Sequence, residues 1–214
     1  MMIANEFIKS CWKYYLALEE DFLKIERYIS FENDNFDIYS IELSKQYQAI
    51  CSEVDVVCKI YCKELNANSN ADNILDYGKE ILGVIPDIKD AVVETVFNGI
   101  VLEPLRDWSI NPNNPTASND PLNQSPNWWK MYNKVKHHRL DLDSSGKPYY
   151  KQANLDNTMN ALAGLFVLCM RCYRKICTQE RQTITIPLPQ SKLFTYKDWD
   201  TSIIFGGNVL MTIE

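Results

Sequence analysis

A chain of 214 residues, 46% hydrophobic and 23% charged, can bury one sizeable core; this excludes global disorder and a small scaffold held by staples. Its 28 acidic and 22 basic residues leave a net charge of −6. That balance excludes a generic nucleic-acid coat, because phosphate binding needs clustered Lys and Arg, so any such contact has to come from a local basic patch.

In chain order, residues 5–29 are expected as an amphipathic helix, with Phe7, Cys11, Tyr14, Leu18, Phe22, Ile25 and Ile29 recurring every three or four residues. The polar stretch 31–38 reads as a loop. A second helix over 41–66 starts behind Ser40, whose hydroxyl can accept from a free amide of the first turn, and carries a stripe from Tyr47 to Leu65. A shorter helix near 71–82 ends at Gly83 and Pro86. Around Asn98-Gly99, β-branched residues on both sides point to a hairpin with a type I′ turn. Residues 109–126, with four prolines and many Asn and Ser, read as a long surface loop, either a mobile cover over a site or a linker.

A third long helix is expected from 127 to about 140, and a last one over 152–178 with Leu155, Met159, Leu162, Phe166, Cys169 and Tyr173 on one face. The tail returns to β signals in Thr183–Ile186 and in a second hairpin around Gly206-Gly207, both expected to join the first hairpin in one sheet. The pattern as a whole implies an α+β, mainly α, single domain over 1–214. Its antiparallel helical bundle is drawn from 5–66 and 127–178, and its small antiparallel sheet from 91–105 and 182–214.

The start of the chain lacks a basic region followed by an apolar run, and the longest apolar stretch, 161–170, is too short to span a bilayer. A cytoplasmic location without membrane contact is therefore expected. The seven Cys are odd in number and mostly sit on apolar helical stripes, so reduced thiols are expected. Cys58-x3-Cys62 and Cys169-x2-Cys172 lack the tight spacing of a zinc knuckle, and the carboxylates of the first two helices lack a Glu-x-x-His partner, so neither metal nor another cofactor is expected. Glu53 or Asp55 is expected to pair with Arg27, Lys136 or Arg139 across the bundle.

The densest chemical signal is 128–139, Trp-Trp-Lys-Met-Tyr-Asn-Lys-Val-Lys-His-His-Arg, which holds both histidines of the chain. Helical spacing places Trp129, Asn133 and His137 on one face, flanked by Lys130 and Lys136, with Trp128, Met131 and Val135 turned inward and His138 bordering the apolar side. A helix end rich in Lys, His and Arg also meets the negative end of its own dipole, so a purely capping role for the two histidines stands beside a chemical one.

This segment resembles the HEPN superfamily, helical-bundle proteins of which many are prokaryotic RNases of toxin–antitoxin and anti-phage systems. Their signature is Arg, often followed directly by Asn, with four to six residues between the Arg and a His. Asn133 and His137 match it in spacing, whereas Tyr132 stands where the signature has Arg. The resemblance implies a metal-independent endoribonuclease with His137 and Asn133 as catalytic residues. Lys130, Lys136, Arg139 and Trp129 would contact RNA, and a homodimer would bring two His137 side chains to one cleft. RNA cleavage through the 2′-hydroxyl needs proton transfer, which His supplies near neutral pH, and charge stabilisation on phosphate, which Lys or Arg supplies. The missing Arg leaves a second expectation open, a non-catalytic interaction module or sensor subunit that takes a protein partner.

Overall fold

The computed structural model describes residues 2–214 except Thr116, Ser118, Asp198, Asp200, Gly206, Gly207 and Glu214, and for 201–205 and 208–213 it describes the backbone alone. The fold is α+β and mainly α, as the periodicity implied. The first helix, α1, runs as Ala4–Phe7, a π-helical stretch Ile8–Trp12 and an α-helical stretch Lys13–Ile25. A π turn inserts one extra residue and rotates everything after it. The buried stripe therefore passes from Cys11 and Trp12 to Tyr15 and Leu18, while Tyr14, expected in the core, is exposed.

The second helix, α2 (Ile41–Leu65), begins as expected behind Ser40, whose hydroxyl accepts from the Leu43 amide at 3.1 Å. Its stripe from Tyr47 to Tyr61 is fully buried. The third, α3 (Ile74–Val84), is capped by the Asn73 side chain and continues through Gly83 to stop just before Pro86, two residues later than expected. The helix α4 (Asn127–His137) carries the histidine segment. The last, α5 (Leu155–Gln179), is buried on nearly every side, not on one face alone. It packs most extensively against α2, and α1 and α4 also lean on that pair. All seven cysteines are free, buried thiols. No helix among the described residues is long and apolar enough to cross a membrane.

Strands β1 (Val93–Thr95) and β2 (Val101–Leu102) pair antiparallel with Val93 opposite Leu102. The hairpin exists, but its turn differs from a two-residue type I′ connection. The Thr95 amide donates to Ile100 across a four-residue loop, and at the Asn98-Gly99 step only Gly99 takes a positive φ, +63°. The tail strand that joins this sheet is β3 (Phe194–Tyr196), antiparallel to β1, so the order is β2-β1-β3. Phe194 and Tyr196 point to the core and Thr195 to solvent. Thr183–Ile186 forms no strand. Strands β4 (Thr201–Phe205) and β5 (Asn208–Ile213) make a separate two-stranded sheet, which corrects the expectation of one sheet. The turn expected at Gly206-Gly207 lies outside the described residues.

Burial also corrects the ion-pair expectation. Asp55 pairs with Lys59 at 2.6 Å and accepts from the Tyr77 hydroxyl at 2.7 Å. Glu53 has no ion pair among the described residues, and its partial burial pushes the carboxyl up to about 7.

Candidate nucleic-acid interface

The amphipathicity of α4 decides which of its side chains can meet a ligand. Trp128, Trp129, Tyr132 and Val135 are buried, and Asn133, Lys134, Lys136 and His137 are exposed. Each i to i+4 step drifts around a helix by about 40°. Trp129, Asn133 and His137 therefore fan out instead of stacking in line, and Trp129 falls into the apolar sector, against Trp128 and Tyr132 at centroid distances of 5.9 and 5.4 Å. The expected base-stacking Trp129 is thus a core residue. Trp128 is pinned twice, by its indole N–H to the Pro104 carbonyl at 2.6 Å and by its own carbonyl, which accepts from the Tyr47 hydroxyl.

The remaining expected residues divide. Asn133 and His137 stand one turn apart on the open face, and neither has a hydrogen bond or ion pair among the described residues. Lys130 is half-buried and its ammonium donates to the Gln124 side chain, tying α4 to the end of the 109–126 loop. That loop is cross-linked from within. Buried Asn123 donates to the carbonyls of Asn114 and Ala117 and accepts from the Asn111 amide, and Asp120 accepts from Leu122 and Asn111. Such bonding favours a packed loop over a free linker. His138 does not border the apolar side. It is the residue after α4, half exposed, with Nδ1 2.9 Å from Asp141.

Tyr132 occupies the position where the resembling family has Arg, and it points inward, edge-on to Tyr47 at 6.0 Å. A guanidinium here would lie in an aromatic core. The positive charge comes from other positions. The Lys136 ammonium lies 5.6 Å from the centre of the Tyr132 ring, so its stem runs over buried aromatic surface while its charge faces water.

After α4 the chain turns back through 138–153. The Asp143 carboxylate accepts from the Ser145 hydroxyl and the amides of Ser145 and Lys147, and these bonds hold it below the usual carboxylate range. Gly146 supplies the positive φ of this turn, +79°. The Tyr150 amide then donates to Arg139 at 3.0 Å, and the amides of Leu155 and Asp156 donate to the carbonyls of Ile38 and Phe36. These bonds bring three segments around a cleft of about 490 Å³: Tyr39 and Ser40, the first turns of α2 with Lys45, and Arg139 with Leu140 and Tyr150. The Tyr39 and Tyr150 rings meet edge-on at 5.7 Å. Lys151 sits over Tyr39 at 5.4 Å and Lys134 over Tyr149 at 5.3 Å.

Of the six residues expected at the site, only Arg139 lines this cleft, while Asn133, Lys136 and His137 stand on the adjoining open face. Tyr39, Tyr149, Tyr150 and Lys151 were missed. The signal for most of them was the stretch Lys147-Pro148-Tyr149-Tyr150-Lys151, where basic and aromatic residues interleave just after the histidines. Lys134, Lys136, Arg139 and Lys151 have no carboxylate partner among the described residues, and Lys45 is held by Glu42 at 2.8 Å. No family model matches the chain, and neither a curated protein nor a solved structure does.

Proposed function

We propose that this chain is a HEPN-like protein that binds single-stranded RNA on the open face of α4 and in the tyrosine-lined cleft beside it, with His137 as the proton-transfer group. The observation that carries this reading is the gathering of four cations without a carboxylate partner, Lys134, Lys136, Arg139 and Lys151, around the exposed Tyr39 and the half-buried Tyr149 and Tyr150 in a chain of net charge −6. Unpaired cations track a phosphate backbone, and tyrosine faces stack on bases without demanding a sequence.

Cleavage would follow from proton transfer. The 2′-hydroxyl loses its proton as its oxygen bonds to phosphorus, and the 5′-oxygen gains one as its bond to phosphorus breaks. One imidazole can perform the first transfer or the second. A homodimer would place a second His137 at the same phosphate, and Asn133, one turn away, would hold it. Since α5 is covered within the chain, the second copy would meet α4 and the 138–151 turn. Tyr132 in place of Arg leaves the phosphorane charge to Lys136 and Arg139. Incubating a mixed RNA pool with wild type and His137→Ala tests this. Loss of cleavage in the variant with an unchanged melting temperature supports it, and equal cleavage by both proteins removes His137 from the chemistry.

A second reading, a non-catalytic interaction module, is favoured by one observation: Ile41 and Leu140, which line the same cleft, are highly exposed, as is Leu142 two residues on. Under that reading neither protein cleaves RNA or binds it, and a protein partner covers these side chains.

A further inference from the structure

We propose that a second cavity, on the far side of α5 from the histidine helix, binds a medium-chain fatty acid, with its tail among Phe97, Phe166, Met170 and Trp199 and its carboxylate at Lys192 and Gln190. The cavity is about 550 Å³ and lies between α1, α5, β3 and the loop that joins β1 to β2. That size is within the range of roughly 300–1,000 Å³ common to small-molecule sites. Its floor is the aromatic cluster around Phe166, whose ring centroid lies 5.8 Å from Phe194 and 6.4 Å from Tyr196, with Trp199 beyond Tyr196 at 5.8 Å and tilted to it by 42°. At the rim Phe97 is 73% exposed, an apolar side chain left in water at the mouth of an apolar space.

The polar groups of the lining set the chemistry of the head group. The Ser191 hydroxyl is committed to the Glu19 carboxylate, and the Thr195 hydroxyl donates to the Glu94 carbonyl. Glu19 itself is buried behind Ser191 and satisfied by Tyr15, Ser191 and the amides of Lys192 and Leu193, so it presents no charge to the cavity. The Trp199 indole N–H has no hydrogen-bond partner among the described residues but is buried and presents no surface to the cavity, so the groups left to meet a head group are the Lys192 ammonium and the Gln190 amide, both exposed on the strap that borders the mouth. No carboxylate lines the cavity among the described residues. An apolar space whose free polar groups are one cation and one amide donor fits an amphiphile with a single anionic acceptor at its end. The tail commits to an alkyl chain because ring faces, aliphatic side chains and a thioether line its length, and the unpartnered Trp199 indole N–H is buried away from the space.

Calorimetric titration of the full chain with octanoate, decanoate and dodecanoate, below their micellar concentrations, tests the assignment, with dodecylammonium as the control for the sign of the charge. Saturable one-to-one binding is expected. Each added methylene should tighten it roughly fourfold until the cavity is full, and dodecylammonium should bind at least about tenfold more weakly than dodecanoate. Lys192→Glu, at an exposed position that leaves the fold alone, should weaken dodecanoate by about tenfold or more. Ile186→Trp, which fills the cavity from a half-buried position outside regular structure, should abolish binding with a melting temperature near that of wild type. Absence of saturable binding overturns the proposal. So does equal affinity for dodecylammonium, or unchanged affinity in Lys192→Glu or in a folded Ile186→Trp.

Discussion

Replacing Gly164 with alanine perturbs the contact that sets α4 on the bundle. A Cβ at this position of α5 would lie 2.8 Å from Cζ2 and 3.3 Å from Cε2 of Trp128. The indole cannot retreat cheaply, since its N–H is bonded to Pro104 and its backbone carbonyl accepts from Tyr47. Overpacking of this kind costs about 1–3 kcal/mol, and the gain of a helical Ala over Gly returns about 1 kcal/mol. The net expectation is destabilisation of about 0–2 kcal/mol, with α4 displaced outward. Gly83 is the internal control. It is helical and exposed, and nothing lies within 4 Å of an added Cβ, so Gly83→Ala should stabilise by about 0.5–1 kcal/mol. Urea denaturation of the three proteins, fitted with a common slope, gives both numbers. A Gly164→Ala protein as stable as Gly83→Ala would refute the packing argument and place Trp128 elsewhere.

Three further outcomes follow from burial. Glu53→Gln should stabilise the chain above pH 7 and leave it unchanged near pH 4. Burial raises the folded carboxyl from its ordinary 4.5 to about 7, so stability is whole below 4.5 and falls as pH rises through 7. The full displacement would be worth on the order of 3 kcal/mol, and the remaining contact with solvent brings the expected gain at pH 8 to about 1–2 kcal/mol. Thermal melts of both proteins from pH 4 to 9 check it, and parallel curves would count against it. Glu19→Ala strands the hydroxyls of Tyr15 and Ser191 and two backbone amides, so it should cost on the order of 3 kcal/mol or more and loosen the 190–194 strap to proteolysis. His138→Ala loses only an exposed pair with Asp141 and should change stability by less than about 1 kcal/mol; a larger loss at neutral pH would mean that the imidazole is packed after all.

Much of the helical core was legible because apolar spacing reports burial directly. The stripe of α2 and the Ser40 cap needed no tertiary information. The α1 stripe failed at Tyr14 because a π turn is a one-residue insertion with no composition of its own, and spacing on either side of it reads as regular helix. The tail failed differently. Short strands are chosen by what they can pair with, so Phe194–Tyr196 entered the sheet beside β1 while the stronger alternation at 183–186 stayed out of it. At the candidate site, helical spacing correctly opened Asn133 and His137 to solvent. It misplaced Trp129, which stands on the border of the apolar sector, where a large ring gains more from the core than from water. The tyrosines of the cleft were invisible as a group because they come from segments more than 100 residues apart, brought together by backbone hydrogen bonds between the 36–39 loop and the start of α5 and by the contact of the Tyr39 and Tyr150 rings.

The central claim is that the cations beside His137 meet a single-stranded phosphate backbone. Fluorescence anisotropy with a labelled RNA oligonucleotide, repeated over a series of salt concentrations, measures this directly. Four contacts, from Lys134, Lys136, Arg139 and Lys151, predict that log affinity falls with log salt at a slope of about −3. Lys136→Ala combined with Arg139→Ala should flatten it to about −1.4, with weaker binding at every salt concentration. A complete lack of binding at low salt, or the same slope in wild type and variant, would contradict the account.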